Sequence, residues 1–340
     1  MGVKLTDIVP RKEIGWDVLS GKVLALDASN VLYQFLSSIR QPDGTLLMDS
    51  KGRVTSHLVG LFSRTTNLIE KGVKPAFVFD GKPPALKGGE IERRRGRKEK
   101  AAEKYEEAKE EGDESSMLKY SRQSIKLTKE MAEEAKELVS ALGLPVVQAP
   151  SEAEAQAAFI CKRGDAWAVA SQDYDALLFG APRVVQNLTL AERRKLPNGT
   201  YAKVTPALIE LQETLSSLSI SQEQLLSLAI LVGTDFNPGG VKGIGAKKAL
   251  KLVSEFNTRE DIFRAAKAEF DYREIAGVFS DMPVKEDYSV EFMQLDEERV
   301  KKILVDKHGF SVERVDSGLE RLRAKKEESK GQTSLLAFGR

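Results

Sequence analysis

Short, almost unbroken apolar runs of strand length alternate with helical patterns along this chain, and each run ends at or beside an acid. VLALD closes on Asp27 and AFVFD on Asp80, AVASQD reaches Asp173, and VVQAP is followed at once by Ser151 and Glu152. Apolar runs of this kind are strands buried on both faces, and their alternation with helices predicts a largely parallel sheet between helical layers. Ligands of such sheets bind beyond the C-terminal strand ends. Seven carboxylates fall at segment ends: Asp27, Asp80, Glu152, Glu154, Asp173, Asp175 and Asp235. Brought together, they make a pocket too negative to exist without divalent cations.

With 340 residues, 41% of them apolar, the chain can bury a large core, and no apolar run approaches the about 18 residues of a membrane span. A soluble protein without a leader and without membrane contact is expected. MGVKLT matches an acylation pattern at Gly2, but one acyl chain without a basic patch anchors weakly, so an ordinary N-terminus is expected. A lone cysteine, Cys161, excludes a disulfide framework and fits a reducing compartment. One Cys and two His, His57 and His308, argue against a zinc site or a histidine-based nucleophile. The net charge of +1 hides local structure: positive charge collects at 82–104, at 242–251 and near the C-terminus, which suits a polyanionic partner.

A helix is expected from about Thr55 to Lys71, its inner face carrying His57, Leu58, Leu61, Phe62 and Leu68. From Lys82 to about Asp113 there is almost no apolar stripe, so this stretch should project from the sheet. It starts just after Asp80, so Lys87, Arg93, Arg94, Arg95, Arg97 and Lys98 can hang over the acid pocket and meet a phosphate. A single helix then runs from about Ser115 to Leu142.

Each acid also has a local explanation. Ser151 with Glu154 reads as a capping box, Asp173 as a cap for DYDALLF, and Asp235 as the fixer of the turn before NPGG. Asp27 and Asp80, after apolar strands, face partial burial and are harder to explain this way. As a set with E-x-E and D-x-D pairs, metal binding is favoured. Oxygen-only ligands select Mg²⁺ or Mn²⁺, and seven acids exceed the needs of one ion. A pair of ions about 4 Å apart serves in-line displacement at phosphorus. Downstream, GGVKGIGAKKALKLV places Gly243 and Gly245 ahead of a helix bearing Lys247, Lys248 and Lys251, which presents backbone N–H groups and cations to a phosphate backbone.

LDAS at Asp27, VFDGKPP at Asp80, APSEAEA at Glu152, SQDYDAL at Asp173 and GTDFNPGGVKGIGAKKAL at Asp235, in this order and spacing, resemble the flap endonucleases of the archaeal type over nearly the whole chain. The resemblance implies a PIN-like α/β nuclease fold with a helical arch at about 82–130 and a helix–two-turn–helix element at about 225–255, within one nuclease domain over 1–324. It implies cleavage of 5′ flaps, with 5′–3′ exonuclease activity, in Okazaki-fragment processing and base excision repair, using two Mg²⁺ ions held by the seven acids, with Mn²⁺ a substitute. Lys87 and Arg94 match arch cations that contact the scissile phosphate. Tyr33 matches an aromatic that stacks on the terminal unpaired base, although VLYQFL could also place it in the core. Gly2 matches an N-terminus near the active site, and Gly243, Gly245, Lys247 and Lys248 match the duplex-binding element. Residues 325–340 are expected as a flexible tail carrying QTSLLAFGR, similar to a peptide that docks on the sliding clamp (PCNA). Gln332, Leu335 and Phe338 match its Q-x-x-L-x-x-aromatic positions, while Gly339 stands where a second aromatic is usual. Branched DNA and the clamp are the implied partners of a monomeric, nucleoid-associated cytoplasmic enzyme. The rival readings are a related 5′ nuclease of excision-repair or exonuclease type, and a catalytically silent clamp-tethered DNA-binding protein.

Overall fold

The computed structural model describes residues 3–41, 43–188, 193–195 and 200–337, with backbone alone for 193–195, 201–203 and 328–337. β1 (Lys12–Glu13) and α1 (Trp16–Leu19) lead into β2 (Val23–Asp27). α2 (Ala28–Ser38) and α3 (Ser56–Glu70) precede β3 (Lys74–Phe79), after which α4 (Gly88–Glu110) and α5 (Glu114–Gln123) form the insertion. α6 (Lys129–Ala141) returns the chain to β4 (Val146–Gln148), followed by α7 (Ala153–Lys162), β5 (Ala168–Ala170), α8 (Asp175–Leu178) and β6 (Arg183–Gln186). A ribbon of β7 (Arg193–Lys195) and β8 (Tyr201–Lys203) comes before β9 (Ala207–Glu210). The rest is helical: α9 (Leu211–Leu218), α10 (Gln222–Val232), α11 (Ala246–Glu255), α12 (Arg259–Ala265), α13 (Tyr272–Ser280), α14 (Glu297–Lys301) with a π-helical turn after it, and α15 (Val312–Ala337).

The main sheet has the order β1-β9-β6-β5-β2-β3-β4. Strands β4, β3, β2, β5 and β6 run parallel, and β9 pairs antiparallel with both β6 and β1. From β2 the chain progresses through β3 to β4 on one side and through β5 to β6 on the other. The reversal between β2 and β5 is a topological switch point, where α/β sheets open a crevice.

The two-residue period of a strand sorts its side chains onto two cores. Leu24, Leu26, Phe77 and Phe79 meet α2, α3 and α6 on one face, while Ala25, Val78 and Val169 meet α7 and the α10–α13 layer on the other. The predicted helix at Thr55–Lys71 is α3, with His57, Leu58, Leu61, Phe62 and Leu68 all buried. α4 follows its lack of an apolar stripe: its buried residues are Glu90, Ala101 and Ala108. It pairs with α5, where the Lys104 ammonium lies 5.5 Å from the Tyr120 ring centre.

One expectation about the helices is corrected. The single helix over Ser115–Leu142 is two helices, α5 and α6, separated at Ser124–Thr128. The segment after α2 takes hold of the end of α5: Arg40 donates from one terminal nitrogen to the Ser121 carbonyl at 3.1 Å and from the other to the Gly44 carbonyl at 2.6 Å. Thr128 then starts α6 afresh by accepting the Met131 N–H. In the tail, backbone helix continues to Ala337.

Candidate active site

The seven acids arrive on different elements but share one location. Asp27 ends β2 and caps α2, its Oδ1 accepting the Asn30 N–H at 3.0 Å. The Asn30 side chain donates across to Asp173 Oδ2 at 3.0 Å, beyond the end of β5, and is itself oriented by Gln34 at 2.9 Å. Asn30 therefore spans the switch point. Asp80 follows β3 and its Oδ1 accepts the Ala153 N–H at 2.8 Å, capping α7 from the neighbouring strand end. Gly81 permits this approach, since a Cβ there would fall 2.3 Å from the Ala149 carbonyl oxygen.

The local explanations of the acids are overturned one by one. The Ser151–Glu154 capping box does not form: the N-cap of α7 is Glu152, and Ser151 Oγ donates to the Lys82 carbonyl at 2.9 Å. Asp173 does not cap α8, whose N-cap is Tyr174. The turn before NPGG is fixed by Thr234 and Asn237, whose side chains meet at 2.7 Å, and Asp235 faces the arch instead. Asp175 opens α8 and accepts the Val3 N–H at 3.3 Å, which brings the N-terminal segment to the cluster.

Charge crowding follows. One carboxylate oxygen each from Asp80, Glu152 and Glu154 lies within 4.8 Å of the others. Burial, then Asp80, pushes the Asp27 carboxyl well above the usual range; burial, then Asp27 and Asp175, does the same to Glu154. Burial, then Asp173 and Asp235, pushes Asp175 up to about 7, and burial raises Glu152. Asp80 and Asp235 add to the effect of burial on Glu152, so each of the seven interacts electrostatically with at least one other. An oxygen-only donor set in which Asp27, Glu152, Glu154 and Asp175 resist ionisation fits hard divalent cations, and the cluster can bind metal.

Two arch cations reach into the acids. Lys87 pairs with Glu152 and lies 3.5 Å from Asp235 Oδ2. Burial disfavours its ammonium, but Glu152 and Glu154 outweigh burial and hold its pKa above the ordinary lysine value. Arg94 places one terminal nitrogen 2.7 Å from both oxygens of Asp235. Beside them, Phe179, Phe236 and Phe279 complete a cleft with about 10 Å³ free; Phe279 has the Phe179 ring tilted against it at 5.0 Å and the Phe236 ring edge-to-face at 5.1 Å. Sequence reasoning named none of these phenyl groups. Above, a basic cavity of about 580 Å³ between α4 and α5 is lined by Arg94, Arg97, Lys98, Lys100, Lys104 and Tyr120.

On the far side of Asp235, α10 and α11 form a helical hairpin. Ser221 and Gln224 make a reciprocal capping box on α10, and Val241 N–H returns to the Leu231 carbonyl at 2.8 Å. Gly240, at φ +54°, lies so close that a Cβ would sit 2.2 Å from the Leu231 oxygen. Gly245 differs: it is the N-cap of α11 with extended backbone, and a Cβ there would meet nothing within 4 Å. Lys242, Gly243, Gly245, Lys247 and Lys248 are all exposed.

The XPG N-terminal domain matches residues 1–101 and the XPG I-region residues 143–235. Over 99% of both chains the sequence is 50% identical to flap endonuclease 1 of Aeropyrum pernix, and over 95% of both it is 51% identical to that of Pyrococcus furiosus. The chain belongs to the flap endonuclease family. Its structure is similar to flap endonuclease-1 from Methanococcus jannaschii, with a TM-score of 0.77 at 42% identity over 96% of this chain and 100% of that one. The catalytic core of Rad2 in complex with DNA substrate shares the fold at a TM-score of 0.71 and 22% identity, over 95% of this chain and 100% of that one.

Other family positions are placed as follows. Tyr33 is 37% exposed beneath Lys98, whose ammonium is 4.8 Å from the ring centre, so it is not the core residue that helical spacing allowed. Gly2 and Phe338 lie outside the described residues, and Gln332 and Leu335 lie on the backbone of α15 with their side chains outside the description. Sequence reasoning missed Asn30 and Glu90. The signal for Glu90 was present, since ExxRRxxR sets three arginines on its own helix face.

Proposed function

We propose that this flap endonuclease cuts the unpaired 5′ strand of branched DNA at its junction with duplex, leaving a 5′-phosphate and a 3′-hydroxyl, in Okazaki-fragment processing and base excision repair. One observation carries the reading: seven carboxylates from the strand ends and the hairpin meet Lys87 and Arg94 of the arch in a single cleft. Two Mg²⁺ ions, or Mn²⁺, held by Asp27, Asp80, Glu152, Glu154, Asp173, Asp175 and Asp235, would neutralise the acids, polarise the phosphodiester and activate water for in-line attack.

The protein's own groups do the placing. Lys87 and Arg94 sit where a phosphate entering the cleft would exchange its oxygens for those of Glu152 and Asp235. Tyr33 offers a ring face to an unstacked base, and the basic cavity between α4 and α5 takes the unpaired strand. Exposed Gly243 and Gly245, with Lys247 and Lys248, suit close approach of a duplex backbone without base reading. The C-terminal Gln332, Leu335 and Phe338 would tether this monomeric enzyme to the sliding clamp, raising its local concentration at junctions.

The test is incubation of a double-flap DNA with Mg²⁺ and mapping of the cut to the nucleotide. Incision about one nucleotide inside the junction supports the reading. Preference for a bubble or a nick indicates the related 5′ nuclease, and binding without incision indicates the silent binder.

A further inference from the structure

Glu90 is a buried acid that lies outside the seven-acid cluster. It occupies the first turn of α4 and is 3% exposed, on a helix that otherwise buries only the small residues Ala101 and Ala108 among those described. Its two oxygens are divided among three arginines of the same helix. Oε2 accepts from Arg93 Nε at 2.6 Å and lies 2.5 Å from Arg93 Nη2. Oε1 accepts from Arg94 Nε at 2.8 Å and lies 3.7 Å from Arg97 Nη2.

A buried carboxylate is costly unless paired, and Arg93 alone would pair it. Arg93 engages only Oε2, however, and Oε1 is given to Arg94. Arg94 in turn spends Nη2 on both oxygens of Asp235. Its planar guanidinium is therefore held at two points, by Nε on the arch side and by Nη2 on the acid side. Two fixed points set both the direction and the tilt of the plane.

We propose that Glu90 is the positioning residue of Arg94: by holding Nε it aims the guanidinium into the acid cleft, so that Arg94 meets the scissile phosphodiester already oriented. Glu90 touches none of the seven acids, and although it also pairs with Arg93 and Arg97, Arg94 is the partner through which it reaches the acid cleft. Its role parallels that of the outer groups that orient metal ligands and catalytic side chains, which remove the reorganisation that would otherwise accompany the transition state. The inference deepens the proposed function and rests on it. A lysine at 94 could not be aimed in this way, because it has a single donor centre on a flexible stem.

The experiment is a double-mutant cycle on single-turnover cleavage of a double-flap DNA with saturating enzyme and Mg²⁺, with binding measured separately in Ca²⁺. The proteins are wild type, Glu90→Gln, Glu90→Ala, Arg94→Ala, Arg94→Lys, and each combination with Glu90→Gln. In the wild-type background Glu90→Gln is expected to slow cleavage by about tenfold, and Glu90→Ala by more, with flap affinity held within about threefold. In the Arg94→Ala and Arg94→Lys backgrounds Glu90→Gln should change the rate by less than about twofold. An equal loss in all three backgrounds would mean that Glu90 acts on the fold of the arch rather than on Arg94, and no loss in the wild-type background would remove the role altogether. Because a folding defect in Glu90→Ala carries over into every background, only the coupling decides. A wild-type chain that cuts no flap at all would sink the functional reading itself, whereas a wild type that cuts, with additive variants, would sink only the part assigned to Glu90.

Discussion

Arg94 and Asp235, 141 residues apart in sequence, meet with one guanidinium nitrogen 2.7 Å from each carboxylate oxygen, joining α4 to the loop between α10 and α11. With Lys87 on Glu152, this gives the cleft its own counter-charge. In the proposed function, the same two cations that offset the acids are the ones that meet a phosphate.

Removing either cation should therefore have two effects. Lys87→Ala or Arg94→Ala should slow single-turnover flap cleavage by about 10²–10³-fold, as loss of a charged transition-state donor does. In metal-free buffer each should also lower the unfolding temperature, because a carboxylate loses its partner, and Mg²⁺ should narrow that difference. Rapid-quench kinetics and thermal scans with and without EDTA check both, and an unchanged cleavage rate would remove the catalytic assignment.

The raised carboxyl pKa values predict the pH dependence of the metal-free protein. Asp27, Glu154 and Asp175 hold protons in the folded state that the unfolded chain releases near pH 4, so their stabilising contribution is present below that value and is lost as pH rises to about 7, where Asp175 titrates. Asp175→Asn keeps the shape and removes the charge. In EDTA it should raise the unfolding temperature at pH 7.5 by roughly 2 °C or more, with the difference vanishing near pH 4. A variant less stable than wild type at pH 7.5 would mean that the pocket is not strained by charge.

The glycines of the hairpin should separate folding from binding. Gly240→Ala drives a Cβ toward the Leu231 carbonyl oxygen and should cost about 2 kcal/mol or more. Gly245→Ala meets no neighbour and should stay within about 1 kcal/mol of wild type, while weakening duplex DNA binding. Chemical denaturation and fluorescence anisotropy distinguish the two, and equal stability losses would show that both glycines serve the fold.

The fold was legible because its strands are buried on both faces and their ends carry the acids, so one pattern marks both sheet and site. What was illegible is long-range. A Ser151–Glu154 capping box is the best local account of that stretch, yet Asp80, 73 residues upstream, takes the Ala153 N–H and leaves Glu152 and Glu154 to the cluster. Glu154 is therefore free of a capping role. Asn30 escaped notice because its partner Asp173 is 143 residues away. The break between α5 and α6 had a local sign in Thr128 followed by Glu130, an N-cap with an acid in the first turn, whereas the contact of Arg40 with the Ser121 carbonyl comes from far upstream.

The C-terminal peptide should bind the sliding clamp through Phe338 and Leu335. Gly339→Phe supplies the missing second ring and should tighten binding by about tenfold or more, whereas Phe338→Ala should abolish it. Calorimetry with the purified clamp checks this, and identical affinities for wild type and Phe338→Ala would exclude the peptide.

The central claim is that the seven acids form one metal-dependent phosphodiester-cleaving site. It is tested most directly by comparing Asp175→Asn with wild type in single-turnover cleavage of a double-flap DNA in Mg²⁺, with flap affinity measured in parallel. The account predicts a rate lower by about 10³-fold or more with affinity within about threefold. Mg²⁺-dependent cleavage at the wild-type rate would contradict it.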